Sequence, residues 1–256
     1  KVCFSIHMGK NNLQPKGPKS NMSSKKDSEK VPKDGKAEEL FPVDSDGTSP
    51  YHPKHFLDIF VAPQDFFSAK LALGKPIYLI LAGWLLGVSL ILVAIGRAVA
   101  RSELGLIAQE PPEELLASWP DMWMSLYLVG AAIGALMWFA GGYLFRVRVL
   151  LSGAPEPDLQ LARIVYIYSS LVRSLPLGIL LITWTILYPN YSEAFDQGAV
   201  KLAELLNIVF SLGEMITAYI GVRTLFSVDR RRALLWFVVG PAAWFAANFS
   251  TVVLMQ

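Results

Sequence analysis

Glu214 is the residue in this chain with the clearest capacity for chemistry, because it is a carboxylate set inside an apolar run, Leu205 to Val222. A charge at the centre of a bilayer costs at least about 2.5 kcal/mol on insertion scales, so such a group persists neutral, hydrated or paired. Asn207, Ser211, Glu214, Thr217 and Gly221 recur at spacings of four, three, three and four and share one helical face. A partner stands on another apolar run, Leu161 to Tyr188, where Arg163, Tyr166, Ser170 and Arg173 also share a face. With Arg163 at the membrane boundary, Arg173 lies about 15 Å deep and Glu214 about 13 Å deep at 1.5 Å per residue. The expectation is an intramembrane polar site of Glu214, Arg173, Asn207, Ser211 and Tyr166, with an Arg173–Glu214 ion pair acting as structural glue or as a transport relay. A rival placement starts the span at Ser174 and leaves Arg173 to snorkel to the interface.

The elements that must hold these residues follow from composition. The chain has 256 residues, is 53% hydrophobic and only 17% charged, and so lies on the membrane side of globular composition. Residues 1–53 are rich in Lys, Ser, Asp, Gly and Pro and bury too little apolar area to offset the entropy of ordering. They read as a disordered cytosolic tail, a candidate contact for a cytosolic protein partner. No signal-peptide pattern is visible before the first span. The net charge of +2 sits in loops and argues against nucleic-acid binding. Cys3 is the one cysteine, which rules out an intrachain disulfide and a thiol zinc site, and His52 and His55 lack further ligands. No nucleophile elbow, P-loop, HExxH or dinucleotide fingerprint occurs, so the chain reads as a non-enzyme with no cofactor, metal or catalytic residue.

The fold class expected is all-α: a polytopic membrane helix bundle over 54–256 with five transmembrane helices, preceded by the tail. The spans are placed at about 76–96, 122–145, 164–188, 205–222 and 233–255, each near the twenty residues needed to cross the hydrocarbon. Lys54, Phe56, Phe60, Phe66, Phe67 and Lys70 suit a segment in the headgroup region before the first span. Arg146, Arg148, Arg163 and Arg173 lie between spans two and three, and Arg223, Arg230, Arg231 and Arg232 between four and five. The other loops hold Arg97 and Arg101, and Lys201, so the positive-inside rule puts the tail in the cytoplasm and Gln256 outside. Arg230, Arg231 and Arg232 are also candidate contacts for lipid headgroups.

Small residues mark the packing faces: Gly83, Gly87 and Ala94; Gly130, Gly134 and Gly141; Ser174, Gly178 and Thr185; Gly240, Ala243, Ala247 and Ser250. They predict a compact bundle in the bilayer, and they admit a homo-oligomer. Two tracts, IFVAPQDFF at Ile59 to Phe67 and YIYSSLVRSLPLGILL at Tyr166 to Leu181, resemble the Yip (Ypt/Rab-interacting) family of membrane proteins, in its bacterial branch. The order of cytosolic tail, five spans and external C-terminus is similar to that family as well. The chain lacks the acidic Tyr-Gly motif of the eukaryotic relatives that associate with Rab GTPases. The resemblance therefore implies a bacterial inner-membrane protein and carries no catalytic residue to any position. Two functions are expected: a membrane scaffold or adaptor, or alternatively a small transporter or channel using Glu214.

Overall fold

The computed structural model describes residues 54–68, 76–103, 118–196 and 199–253. The expected tail over 1–53, with Cys3 and His52, and Gln256 at the far end lie outside the described residues. All described elements are helices: α1 (Lys54–Val61), α2 (Pro63–Ser68), α3 (Pro76–Glu103), α4 (Trp119–Leu151), α5 (Leu159–Leu187), α6 (Tyr191–Asp196), α7 (Ala199–Leu225) and α8 (230–253). Two are interrupted by a π turn, Met137–Gly141 in α4 and Leu235–Val239 in α8.

Their ends follow local chemistry. Pro120 sits in the first turn of α4, where its missing N–H costs nothing. At the other end Gly153 takes φ +101°, a left-handed conformation suited to glycine, and Gly153 and Ala154 donate back to Leu150 and Val149. Asp158 then caps α5, accepting from the Leu161 N–H at 2.6 Å. Tyr188 precedes Pro189 and is extended, which ends α5. Asp229 caps α8 by accepting from the Arg232 N–H at 2.9 Å. The polypeptide stays helical through Pro176.

Four helices are long and apolar enough to cross a membrane: Pro76–Val99, Trp119–Leu151, Leu159–Leu187 and Leu202–Leu225. They are the signature of an integral membrane protein. Five were expected; the remaining one, α8, begins on the run Arg230–Arg232 and is not among the four. The outward faces carry Ile80, Met124, Leu128, Ile182, Ile186, Val209, Leu212 and Ile216, all exposed, an apolar surface of the kind lipid rather than water covers.

Helix α5 is the centre, packed against α3, α4 and α7, while α7 also carries α2 and α8. Between α3 and α4 the backbones touch. A Cβ on Gly87 would stand 1.9 Å from the Gly130 carbonyl oxygen, and one on Gly134 would stand 2.3 Å from that of Gly83. These are the small-residue faces expected in spans one and two, although Ala94 is exposed and takes no part. The stripe expected on the last span is likewise exposed at Gly240, Ala243 and Ala247, because α8 packs through Ala233 and Phe237 instead.

The two ends of the bundle differ. At one, Trp119 Nε1 donates to the Tyr188 carbonyl at 2.7 Å and Trp123 Nε1 to Thr185 Oγ1 at 3.0 Å, tying α4 to the end of α5. At the other, the Asp229 N–H donates to the Ser152 carbonyl at 2.9 Å and joins the α4–α5 and α7–α8 turns. Helices α1 and α2 fold onto this second end, burying Ile59, Phe66 and Phe67. Phe66 meets Tyr168 edge-on at 5.4 Å, and Phe67 lies over Gly221 so closely that a Cβ there would be 2.8 Å from its ring.

Candidate functional site: a polar seam between α5 and α7

The expected ion pair forms. Arg173 Nε and Glu214 Oε2 lie 3.3 Å apart, each side chain 20% exposed. The register that unites them is set by small residues: Gly213 lies under Val172, where a Cβ would be 3.0 Å from Cγ1, and Gly221 lies under Val165. Helices α5 and α7 run antiparallel, so the equal depths inferred from sequence become one level of the bundle. Helix α5 runs from Leu159 to Leu187, so Arg173 lies at the middle of the helix. The contact is ionic by distance; the Arg173 Nε–H is not aligned for a hydrogen bond.

The rest of the predicted site is distributed unevenly. Asn207 and Ser211 lie on the Glu214 face of α7, both buried, and Asn207 Oδ1 and Ser211 Oγ have no hydrogen-bond partner. Ser174, next to Arg173, is fully buried and its hydroxyl is also unpartnered. Ser170, by contrast, donates to the Ile167 carbonyl of its own helix at 2.7 Å. Tyr166 turns toward α4, its hydroxyl 3.5 Å from Met137 Sδ and its ring against Gly141 and Phe145. It remains within electrostatic reach of Glu214 and Arg173.

Arg148 is the residue that sequence reasoning missed, having been read only as a topology signal. Its charge interacts with Glu214 and Tyr166. Its Nε donates to the Trp236 carbonyl at 2.9 Å, Nη2 donates to the same oxygen, and the guanidinium lies 4.5 Å from the Phe237 ring centroid. That carbonyl is free for a covalent reason. In the π turn the Gly240 N–H bonds Leu235, one residue further back than in an α-helix, so the next donor owed to Trp236 belongs to residue 241. Residue 241 is proline and has none. The sequence signal was therefore Pro241, five residues after Trp236 in an otherwise continuous apolar run.

Arg163 lies over the rings of Phe139 and Trp138, with centroids at 5.3 and 5.9 Å, and packs on Gly142. It belongs to the α4 π turn rather than to the Glu214 pair. Arg230, Arg231 and Arg232 are exposed at the end where the α4–α5 and α7–α8 turns join. At the opposite end Tyr191 of α6 is buried between Trp119 and Trp184, each ring 6.2 Å away. Its phenol is pushed above the ordinary value by burial first and by the Glu204 carboxylate second.

The arrangement is thus an acid held by a guanidinium, a second guanidinium within electrostatic reach, and unpartnered hydroxyl and amide groups along the same seam. It can hold or exchange hydrogen bonds and charge. No family model, curated protein or solved structure matches the chain.

Proposed function

We propose that the chain is a multi-pass membrane protein of the Yip family that acts as a scaffold or adaptor rather than as an enzyme. The observation that carries this reading is the assembled end of the bundle. Helices α1 and α2, which are too short to span, are folded onto α5 and α7 by Ile59, Phe66 and Phe67, beside the joined turns and the exposed arginines. A membrane protein that builds such a platform presents it to something. Leu57 and Val61 remain exposed on one face of α1, one turn apart.

In this reading the platform is cytoplasmic, α8 is a fifth crossing that puts the C-terminus outside, and the membrane is the bacterial inner membrane. The helix over 230–253 starts at the platform end and is about 35 Å long at 1.5 Å per residue, enough to cross. The arginines at 230–232 then contact lipid phosphate. A photo-crosslinking residue at Val61 or Arg231, activated in native membranes, is expected to give a discrete protein adduct that is lost when residues 1–53 are removed. Adducts with lipid alone would remove the adaptor half of the reading.

A second reading, a small transporter or channel, is favoured by one observation: the unpartnered Asn207 and Ser211 on the Glu214 face. It predicts proton or alkali-cation flux in proteoliposomes that Glu214→Gln abolishes. Flux surviving that change would defeat it.

A further inference from the structure

The α7 face that carries Glu214 extends past it toward the α6 end of the bundle. Glu204, Asn207, Ser211 and Glu214 follow at spacings of three, four and three, so they lie along one face. Glu204 is exposed, and its charge reaches Tyr191 of α6. Between the two carboxylates, Asn207 and Ser211 are only 7% and 3% exposed, and neither Oδ1 nor Oγ has a partner in the protein. Buried polar groups nearly always find a partner in protein or water, and lipid tails supply none. The neighbouring lipid-facing positions, Val209 and Leu212, are apolar, so polarity is confined to the seam.

We propose that this stripe is a water-filled inlet, running from Glu204 at the α6 end past Asn207 and Ser211 to the Arg173–Glu214 pair. Water donates to Asn207 Oδ1 and exchanges hydrogen bonds with the Ser211 hydroxyl. A fifth of the Arg173 and Glu214 side chains stays accessible, so the pair is not a sealed contact. The Glu204 carboxylate at the mouth favours cationic over anionic solutes there. The inlet deepens the transport reading, which needs Glu214 to meet water, and its test involves no flux.

The test is thiol accessibility in the full chain, in a Cys3→Ser background and in sealed membranes. Asn207→Cys and Ser211→Cys are compared with the lipid-facing controls Val209→Cys and Leu212→Cys. A small cationic methanethiosulfonate, which reacts with the thiolate and hence with thiols in water, is expected to modify positions 207 and 211 from the α6 side several-fold faster than 209 and 212. An anionic reagent of similar size should react with Asn207→Cys about tenfold more slowly than the cationic one, and Glu204→Gln should erase that difference. Ser211→Cys is nearly isosteric and decides alone if Asn207→Cys fails to elute as a folded species. Rates at 207 and 211 equal to those at 209 and 212, or reaction only from the platform side, would overturn the inlet. Reactive cysteines in a protein that supports no flux would defeat transport and leave the inlet standing.

Discussion

Pro241 deprives one carbonyl of its donor, and Arg148, on another helix, supplies a replacement. The guanidinium is thereby a tertiary cap on a π turn, and the dependence is testable because it has a covalent origin. Arg148→Met should cost about 1–3 kcal/mol by stranding the Trp236 oxygen. In a Pro241→Ala background, where residue 241 regains its N–H, the same change should cost about 1 kcal/mol less, as measured by unfolding in detergent. Equal costs in both backgrounds would show that Arg148 acts through packing on Phe237 instead. For Arg173 and Glu214, reversing either charge alone should lower stability by about 2 kcal/mol, below the 3–5 expected of a fully buried pair because 20% of each side chain is accessible. Restoring opposite charges in the double reversal should recover at least half of the combined loss; no recovery would mean that each residue is held by something else. The pair was legible in sequence because both partners are charges in apolar runs at matching depth. Arg148 was not, since an arginine near the end of an apolar run has an ordinary explanation in topology and its partner is a backbone atom.

Among the helices, the closest approach is that of α3 and α4, where glycine on both sides lets backbone meet backbone. The two Gly-x-x-x-Gly faces were readable from spacing alone, but not which glycine is indispensable. Gly134→Ala would set a methyl 2.3 Å from the Gly83 carbonyl oxygen, and that neighbour is backbone and cannot rotate away. It should destabilise by about 1–3 kcal/mol. Gly83→Ala meets nothing within 4 Å and should be neutral, or gain up to about 1 kcal/mol from helix propensity. Thermal unfolding of the two variants side by side checks the contrast; equal losses would mean that the helices do not meet in this register. Other features of the helices escaped the sequence pattern for physical reasons. Helix α5 begins at Leu159 rather than 164 because its start is set by the Asp158 side chain, which no hydropathy window senses. The π turns at 137–141 and 235–239 leave an apolar run apolar and so are silent in composition.

At the scale of the whole molecule, the packing joins what the charge distribution could only sort. The loops between spans two and three and between four and five were assigned to one side because both are rich in arginine. In the structure they touch, through the Asp229 N–H and the Ser152 carbonyl, and α1 and α2 sit at the same end. The turn holding Pro189 and Asn190 lies at the other end, where Trp119 and Trp184 enclose Tyr191. Geometry thus fixes which loops share an end; the arginines are the basis for the expectation that this end faces the cytoplasm. The two statements have separate tests in one experiment. In a Cys3→Ser background, single cysteines at the exposed positions Glu156 and Ser192 are treated with an impermeant thiol reagent in intact and in opened cells. Ser192→Cys should react in intact cells and Glu156→Cys only after opening. The reverse pattern would leave the bundle intact and invert it in the membrane, and reaction of both from one side would break the packing itself. A third cysteine at Gln256 decides the remaining crossing. If α8 spans, Gln256→Cys follows Ser192→Cys; if α8 turns back along the interface, it follows Glu156→Cys.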